Sequence, residues 1–165
     1  MRSKERMSVA LSIPDLFYIA VGIEKKGIAF YDIMARSSPQ QDVREVFLYL
    51  TGMERRHVQI FQEAFHLLSK SQFLADRDYP GYVQTLLDNS VFTDELADSE
   101  IVNNLTSDIE AIELGIQAEK DSILFYYEML DQVDETIRDA IKRIIIEEKS
   151  HLKQLSEMKK IYKGK

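Results

Sequence analysis

The two halves of this 165-residue chain repeat one pattern of glutamate and histidine residues, and this repeat constrains the fold more than any other feature. In the first half, Glu24 precedes a Glu-x-x-His motif at residues 54–57, so the two glutamates are 54 − 24 = 30 residues apart. In the second half, Glu119 precedes a Glu-x-x-His motif at residues 148–151, and the distance is 148 − 119 = 29 residues. A Phe-Tyr pair follows the first glutamate of each half at +6 and +7. The repeat therefore predicts two copies of one structural unit.

Apolar residues recur with the period of an α-helix in four long stretches, at residues 13–35, 40–69, 107–130 and 134–161. The first stretch begins after Ser12, a serine cap that is followed by a proline and an acid in the first turn. The third begins at a serine with a glutamate three residues later, which is the form of a capping box. Only a few residues separate the first stretch from the second, and the third from the fourth. We therefore expect two antiparallel helical hairpins.

A longer segment, residues 71–106, lies between the two hairpins. A structureless loop of this length is unusual in a compact domain, so we expect a crossover along the bundle with short helices near residues 82–87 and 93–96. Two hairpins joined by one long crossover form the ferritin-like arrangement. The sequence thus predicts an all-α, ferritin-like four-helix bundle that forms a single domain over residues 1–165.

The composition excludes several other classes of protein. The net charge is −7, with 28 acidic and 21 basic residues, which argues against a nucleic-acid partner because nucleic-acid-binding surfaces are basic. The chain has no cysteine, so disulfides, thiol catalysis and Cys-ligated iron–sulfur or rubredoxin-type centres are excluded within it. No stretch is long and apolar enough to span a membrane. These features predict a cytoplasmic protein without a membrane or nucleic-acid partner.

Each repeated glutamate lies in the middle of the apolar face of its predicted helix. Around Glu24, for example, Phe17, Ala20, Ile28 and Tyr31 occupy positions −7, −4, +4 and +7. A buried carboxylate without compensation costs several kcal/mol, and four in one core would be intolerable unless they were protonated or paired with cations. Two divalent metal ions bring four positive charges, and two neutral imidazoles complete their coordination without adding charge. The pattern therefore favours a two-metal site inside the bundle.

The repeated residues match a known ligand pattern. One glutamate from each of two helices, plus a Glu-x-x-His motif from each of the other two, characterises two-metal carboxylate bundles. Residues at i and i+3 share a helix face, so both residues of a motif reach the same metal pair. We expect Glu54 and Glu148 to bridge both metals, and each of the other residues to bind one metal. Iron is expected, although manganese or a mixed pair suits these ligands as well. The candidate metal ligands are Glu24, Glu54, His57, Glu119, Glu148 and His151.

A third Glu-x-x-His motif provides an internal comparison. Glu63 lies nine residues after Glu54, which corresponds to about 180° around a helix. Its neighbours at −7, −4 and +7 are Arg56, Gln59 and Lys70, which are polar or charged, and its distance from Glu24 does not fit the repeat. We therefore expect Glu63 and His66 to lie on the surface.

Three other side chains near the motifs are expected to have ordinary structural roles. Glu147 adjoins the second motif but lacks the i, i+3 relation to its histidine, so it is expected to face solvent. Tyr31 and Tyr126 lie about 10 Å along the helix from the first glutamate of their half. We expect both to be core tyrosines whose hydroxyl groups have hydrogen-bond partners.

On these residues, the chain resembles the rubrerythrin branch of the ferritin-like superfamily over its four long helices. The resemblance implies a di-iron centre that reacts with peroxide or dioxygen, in a homodimer or a larger homo-oligomer. Two departures are evident. The chain has no cysteine for a rubredoxin domain, so a separate protein is expected to donate electrons. Rubrerythrins also carry a further ligand glutamate where this chain has Ser122, which makes the site similar to the four-carboxylate, two-histidine set of bacterioferritin-like proteins.

The sequence leaves three functions open. The first is a di-metal oxidoreductase that acts on peroxide or dioxygen with an external electron donor. The second is a ferroxidase or iron-handling protein that uses the same site. The third is a helical interaction protein with a structural or vestigial metal site. A separate alternative is that the Glu-x-x-His motifs are chance surface pairs. Oligomer size distinguishes the first two functions, and metal analysis distinguishes both from the third.

Overall fold

The computed structural model of the chain describes residues 12–70, 81–88, 105 and 107–163. These ranges contain five helices and no strand. The helices are α1 (Ile13–Ser37), α2 (Gln41–Lys70), α3 (Gly81–Asp88), α4 (Asp108–Leu130) and α5 (Glu135–Lys163). Every end of the four long helices lies within two residues of its predicted position. Among the described residues, no helix combines the length and apolar character that a membrane span requires.

The predicted crossover is described only in part. Helix α3 coincides with the short helix expected near residues 82–87 and packs against α4. The other short helix, expected near residues 93–96, lies outside the described residues. The prediction of a single domain over residues 1–165 stays a prediction.

Two serine caps fix the start of the first helix of each hairpin. The hydroxyl oxygen of Ser12 accepts a hydrogen bond from the backbone N–H of Asp15, and the Asp15 carboxylate accepts one from the backbone N–H of Ser12 at 2.7 Å. The hydroxyl oxygen of Ser107 accepts a hydrogen bond from the backbone N–H of Glu110 at 3.3 Å. These bonds satisfy backbone donors that a helix start leaves without partners. Both helices therefore begin where the sequence pattern predicts.

Ring contacts show that α1 and α2 are antiparallel. Phe17 lies against Phe61, with ring centroids 6.3 Å apart, near one end of the hairpin. Phe30 lies against Phe47, with centroids 6.4 Å apart, near the other end. Residue numbers rise along α1 while they fall along α2, which is the arrangement expected from a short connection.

The hairpin of α4 and α5 has the same geometry. The Lys149 ammonium group donates to the Tyr127 hydroxyl at 2.5 Å, and Lys159 forms an ion pair with Glu113 at 2.7 Å. Residue numbers again rise along one helix as they fall along the other. The two hairpins meet through contacts between α1 and α4 and between α2 and α5. Together they form the predicted four-helix bundle.

Two apolar clusters fill the bundle, one towards each end. One cluster includes Phe17, Phe61, Tyr126 and Ile141. The other includes Phe30, Phe47, Ile112 and Leu155. Between them lies a layer of buried glutamate and histidine side chains, contributed by all four long helices. A polar layer therefore separates the two apolar clusters of the core.

Candidate metal centre

All six predicted ligand residues meet in this polar layer. Helices α1 and α4 each contribute one glutamate, and α2 and α5 each contribute the glutamate and histidine of a Glu-x-x-His motif. All six side chains are buried, with at most 4% of any residue exposed. By contrast, Glu63 and His66 of the third motif are exposed on the outside of α2, as predicted.

The ligand atoms form two overlapping groups, and within each group they lie no more than 4.8 Å apart. The first group consists of Glu24, Glu54, His57 and Glu148. The second consists of Glu54, Glu119, Glu148 and His151. Glu54 and Glu148 belong to both groups, whereas each of the other residues belongs to one. This is the arrangement that two metals with two shared carboxylates require.

Both imidazole rings direct Nδ1 into the cluster of carboxylates. Nδ1 of His57 lies 3.1 Å from both Glu54 and Glu148. Nδ1 of His151 lies 2.9 Å from Glu148 and 3.8 Å from Glu54. The two rings stack, with centroids 5.7 Å apart and planes 23° apart. The same ring nitrogen is thus available to the cluster from each half of the chain.

The outer nitrogen of His57 contacts a carboxylate that the sequence analysis did not place at the site. Nε2 of His57 lies 2.9 Å from Oε2 of Glu147, which also pairs with Arg56 at 3.2 Å. The Glu147 side chain is only 34% exposed, so the expectation that it simply faces solvent is wrong. Partial burial raises the pKa of Glu147, but its hydrogen bond with His57 and the nearby charges hold that pKa below its ordinary value. The sequence shows a carboxylate beside the motif glutamate, but it does not show which residue this carboxylate contacts, because that residue lies on another helix.

Tyr31 and Tyr126 are core tyrosines with hydrogen-bond partners, as predicted, and those partners are candidate ligands. The Tyr31 hydroxyl on α1 donates to Oε1 of Glu119 on α4 at 2.5 Å. The Tyr126 hydroxyl on α4 donates to Oε1 of Glu24 on α1. Burial and the charges of nearby glutamates raise the pKa of both phenols well above their ordinary value, so both remain donors. A tyrosine in each half of the repeat therefore donates a hydrogen bond to the first glutamate of the other half.

Burial dominates the electrostatics of the cluster. Burial and then neighbouring carboxylate charges raise the pKa of Glu54 and Glu148 well above the ordinary glutamate value. Burial also raises the pKa of Glu24, but hydrogen bonds with Glu54, His57 and Tyr126 outweigh it and the net pKa is lowered. For His57, burial favours the neutral ring, yet hydrogen bonds with the carboxylates raise its pKa above the ordinary 6.5. Without metal, the cluster therefore retains protons to offset its negative charge.

The donor set fits a pair of divalent metal ions. Four carboxylates supply up to four negative charges, and two imidazoles add ligand atoms without charge. The oxygen and nitrogen donors suit iron or manganese, and none of the six is a soft sulfur ligand. Two divalent cations would replace the retained protons and neutralise the carboxylates, which are costly to bury alone.

A small cavity adjoins the cluster on the seam between α1 and α4. Its volume is about 10 Å³, and its lining includes Glu24 and Glu119 as well as three small residues, Gly27, Ala118 and Ser122. A second cavity shares Ala118 and Ser122 and reaches Leu86 and Leu87 of α3. The histidines lie on the opposite seam, between α2 and α5. A small cavity therefore borders the carboxylates on this seam, and α3 lines the cavity next to it.

Comparisons with known proteins agree with the fold. No curated protein matches the chain. Among solved structures, the chain is similar to a protein from Thermotoga maritima described as a ferritin-like diiron-carboxylate protein. The two chains are 31% identical with a TM-score of 0.75, over 92% of this chain and 96% of the other. The protein family described as Rubrerythrin matches residues 15–159, which is most of the chain. The predicted resemblance is thus confirmed, and the chain belongs to the rubrerythrin family.

Proposed function

We propose that this protein is a di-iron oxidoreductase that acts on peroxide or dioxygen and receives electrons from a separate protein. The observation that carries the proposal is the pair of overlapping ligand groups, which share Glu54 and Glu148 at the centre of the bundle. Membership of the rubrerythrin family and similarity to a protein described as diiron-carboxylate support the choice of iron. Manganese or a mixed pair is the alternative for the same ligands.

The six residues would form two sets of ligands, one for each ion. Glu54 and Glu148 would be shared between the two positions because each belongs to both groups. Glu24 and His57 would complete one position, and Glu119 and His151 would complete the other. Both histidines would bind through Nδ1, the nitrogen that faces the carboxylates. Bound iron would supply the redox chemistry by exchanging electrons with the small-molecule substrate.

The remaining residues near the cluster control geometry and access. Tyr31 and Tyr126 donate hydrogen bonds to Glu119 and Glu24, which limits rotation of these carboxylates and leaves their other oxygens available. The cavity beside Ser122 has room for about one water-sized molecule, a size that suits dioxygen or peroxide. We propose that the substrate approaches through this seam.

The partners and location follow from the chemistry. A buried redox site without cysteine-based centres in these 165 residues requires electrons from another molecule, so a separate electron-donor protein is proposed. A homodimer or larger homo-oligomer and a cytoplasmic location are also proposed, from the family resemblance and the composition. Sedimentation analysis tests the first, and cell fractionation tests the second.

An anaerobic Fe(II) titration followed by addition of dioxygen or peroxide tests the function. We expect about two Fe(II) per chain and a new absorbance band after oxidation, because ferric ions with oxygen ligands absorb by charge transfer from ligand to metal. Glu54→Ala combined with Glu148→Ala should abolish tight binding, because it removes both shared carboxylates. Glu63→Ala, in the exposed third motif, is the matched control and should change nothing. Binding well below two per chain without oxidation-dependent absorbance would reject the proposal.

One observation favours iron handling as the second candidate. Ser122 stands where rubrerythrins carry a further ligand glutamate, and its hydroxyl instead donates to the carbonyl of Ala118 at 3.1 Å. The remaining set of four carboxylates and two histidines resembles that of bacterioferritin-like proteins. A hollow multi-subunit shell that accumulates many ferric ions per chain would favour this candidate, whereas a small oligomer with catalytic peroxide turnover would favour the oxidoreductase. Failure to retain any metal would favour a vestigial site.

A further inference from the structure

The outer nitrogens of the two histidines have different surroundings, although the repeat makes the two residues equivalent. Nε2 of His57 has a carboxylate partner, Glu147, at 2.9 Å. Nε2 of His151 is buried and has no hydrogen-bond partner among the residues that the structure describes. The position that matches 147 in the other half is Met53, since each directly precedes the glutamate of its motif. A thioether is at most a weak acceptor, so the half with Met53 offers no strong acceptor at the position where the other half has a carboxylate.

The carboxylate of Glu147 matters because it acts on the ligand atom of His57 through the ring. When a carboxylate accepts the outer N–H of a histidine, it fixes the tautomer, orients the ring and makes the inner nitrogen a stronger metal ligand. With Nε2–H donated to Glu147, the lone pair of Nδ1 faces the cluster, where Nδ1 lies 3.1 Å from Glu54. The ring of His151 lies edge-on to Tyr49, at 88° and 6.2 Å between centroids. This contact orients His151 but supplies no charged acceptor.

The position of Glu147 is itself fixed by two helices. Glu147 projects from α5 across the seam to His57 on α2, and Arg56 on α2 holds the same carboxylate oxygen at 3.2 Å. Arg56 also lies 3.0 Å from the sulfur of Met53, so positions 53 and 147 lie on the same flank of the site. The Arg56 side chain is 53% exposed, and an exposed ion pair alone contributes only about 0–1 kcal/mol. The contact with His57, whose own side chain is fully buried, is therefore the one expected to affect metal binding.

We propose that Glu147 is a positioning residue that makes the two metal positions unequal, so that the ion bound through His57 is held more tightly than the ion bound through His151. This inference rests on the proposed two-metal site and is independent of any reaction with dioxygen or peroxide. It assigns the inequality to one difference between the halves, an acid at position 147 against a methionine at position 53.

An anaerobic calorimetric titration of the metal-free protein with Co(II) tests the inference. The wild type should bind in two steps whose dissociation constants differ by about tenfold or more. Glu147→Met, which installs the residue of the matching position, should weaken the tighter step by about 10–100-fold and leave the weaker step unchanged. Glu147→Gln keeps an oxygen acceptor, so it should weaken the tighter step less than Glu147→Met does. A purely structural role of Glu147 would not predict this difference between the two variants. Equal weakening of both steps by Glu147→Met would overturn the inference.

Two further variants complete the experiment. Met53→Glu offers His151 the missing acceptor and should strengthen the weaker step, so an unchanged weaker step contradicts the inference. Arg56→Ala removes the ion pair but keeps the contact with His57, and should change the tighter step by less than about fivefold. If Arg56→Ala abolished the difference as fully as Glu147→Met, the ion pair would be the cause and the inference would fail. Two equal steps in the wild type would refute only the inequality, whereas no Co(II) binding would also refute the proposed metal site.

Discussion

At the scale of single residues, the two buried tyrosines contribute more to the centre than core packing. Each phenol donates its hydrogen bond to the first glutamate of the other half, Tyr31 to Glu119 and Tyr126 to Glu24. A buried carboxylate that loses a donor bears the full cost of its desolvation, about 1–3 kcal/mol or more for a charged group. The tyrosines therefore stabilise the buried carboxylates of the layer.

Tyr126→Phe is expected to lower the free energy of unfolding of the metal-free protein by about 1–3 kcal/mol. The substitution preserves the ring in its apolar cluster and removes only the donor to Glu24. Urea unfolding in the presence of a chelator measures the change. Tyr18→Phe removes the same hydroxyl from a residue that is 84% exposed, and should stay within about 0.5 kcal/mol of wild type. Equal effects of the two variants would show that the hydrogen bond to Glu24 contributes nothing specific.

At the scale of helices, α4 approaches its neighbours closely because one buried position has no side chain. A Cβ atom at Gly115 would lie 3.2 Å from Cδ1 of Leu155 and 3.3 Å from Cε1 of Tyr31. Leu155 is fully buried, and the hydroxyl of Tyr31 is held by Glu119 at 2.5 Å, so neither side chain moves freely. The glycine thus leaves room for the Tyr31 ring between α1 and α4, and the hydroxyl of this ring reaches the polar layer.

Two alanine substitutions of glycines within helices should have opposite effects on stability. Gly52 lies on the exposed side of α2, and a Cβ atom there would have no described atom within 4 Å other than those of the adjoining helix, so Gly52→Ala should stabilise by about 1 kcal/mol through helix propensity. Gly115→Ala gains the same propensity but crowds Tyr31 and Leu155, so a net loss of about 1 kcal/mol is expected. Urea unfolding of both variants measures the difference. Stabilisation of similar size in both would contradict the close packing of α4.

At the scale of the whole molecule, the polar layer makes folding and metal binding interdependent. Four carboxylates divide the core into two apolar clusters, and they are costly to bury without cations. Without metal, protons serve this purpose, because the pKa of Glu54, Glu148 and His57 is raised in the fold. In the proposed metal-bound form, the cations would take their place and the protons would leave. The pH therefore affects the two forms in opposite directions.

The metal-free protein should lose stability as the pH rises from about 6 to about 9. A group whose pKa is raised by folding stabilises the fold below its unfolded value, which is 4.5 for glutamate and 6.5 for histidine, and this contribution is lost at higher pH. Glu24 has a lowered pKa and acts oppositely, so its contribution is lost only below 4.5. Each proton that only the folded chain retains corresponds to about 1.4 kcal/mol per pH unit.

Urea unfolding across this pH range, with a chelator or with excess Mn(II), measures both forms. The metal-loaded protein should keep or gain stability as the pH rises, because protons compete with metal for the ligands. The double variant Glu54→Gln, Glu148→Gln should flatten the slope of the metal-free protein, since it removes two of the groups with raised pKa. A metal-free form that becomes more stable towards pH 9 would contradict the electrostatics described for the cluster.

The sequence by itself determined the helices and the residues of the layer, because both depend on local periodicity. Apolar spacing and serine caps placed the ends of the long helices to within two residues. The repeat selected the six side chains that meet in the layer, and separated the motif at Glu54 from the exposed one at Glu63. A helix fixes which residues share its face, so these conclusions required no knowledge of neighbouring helices.

Only the tertiary structure decided which side chains from different helices touch. The contact of Glu147 with His57, the exchange of tyrosine donors between halves and the cavity beside Ser122 all lie on seams between helices. Each depends on the distance and relative rotation of two helices that are far apart in sequence. Periodicity gives the direction of a side chain about its own helix axis, but it does not give the partner on another helix. The contacts that hold the candidate ligands in place could therefore be identified only from the fold.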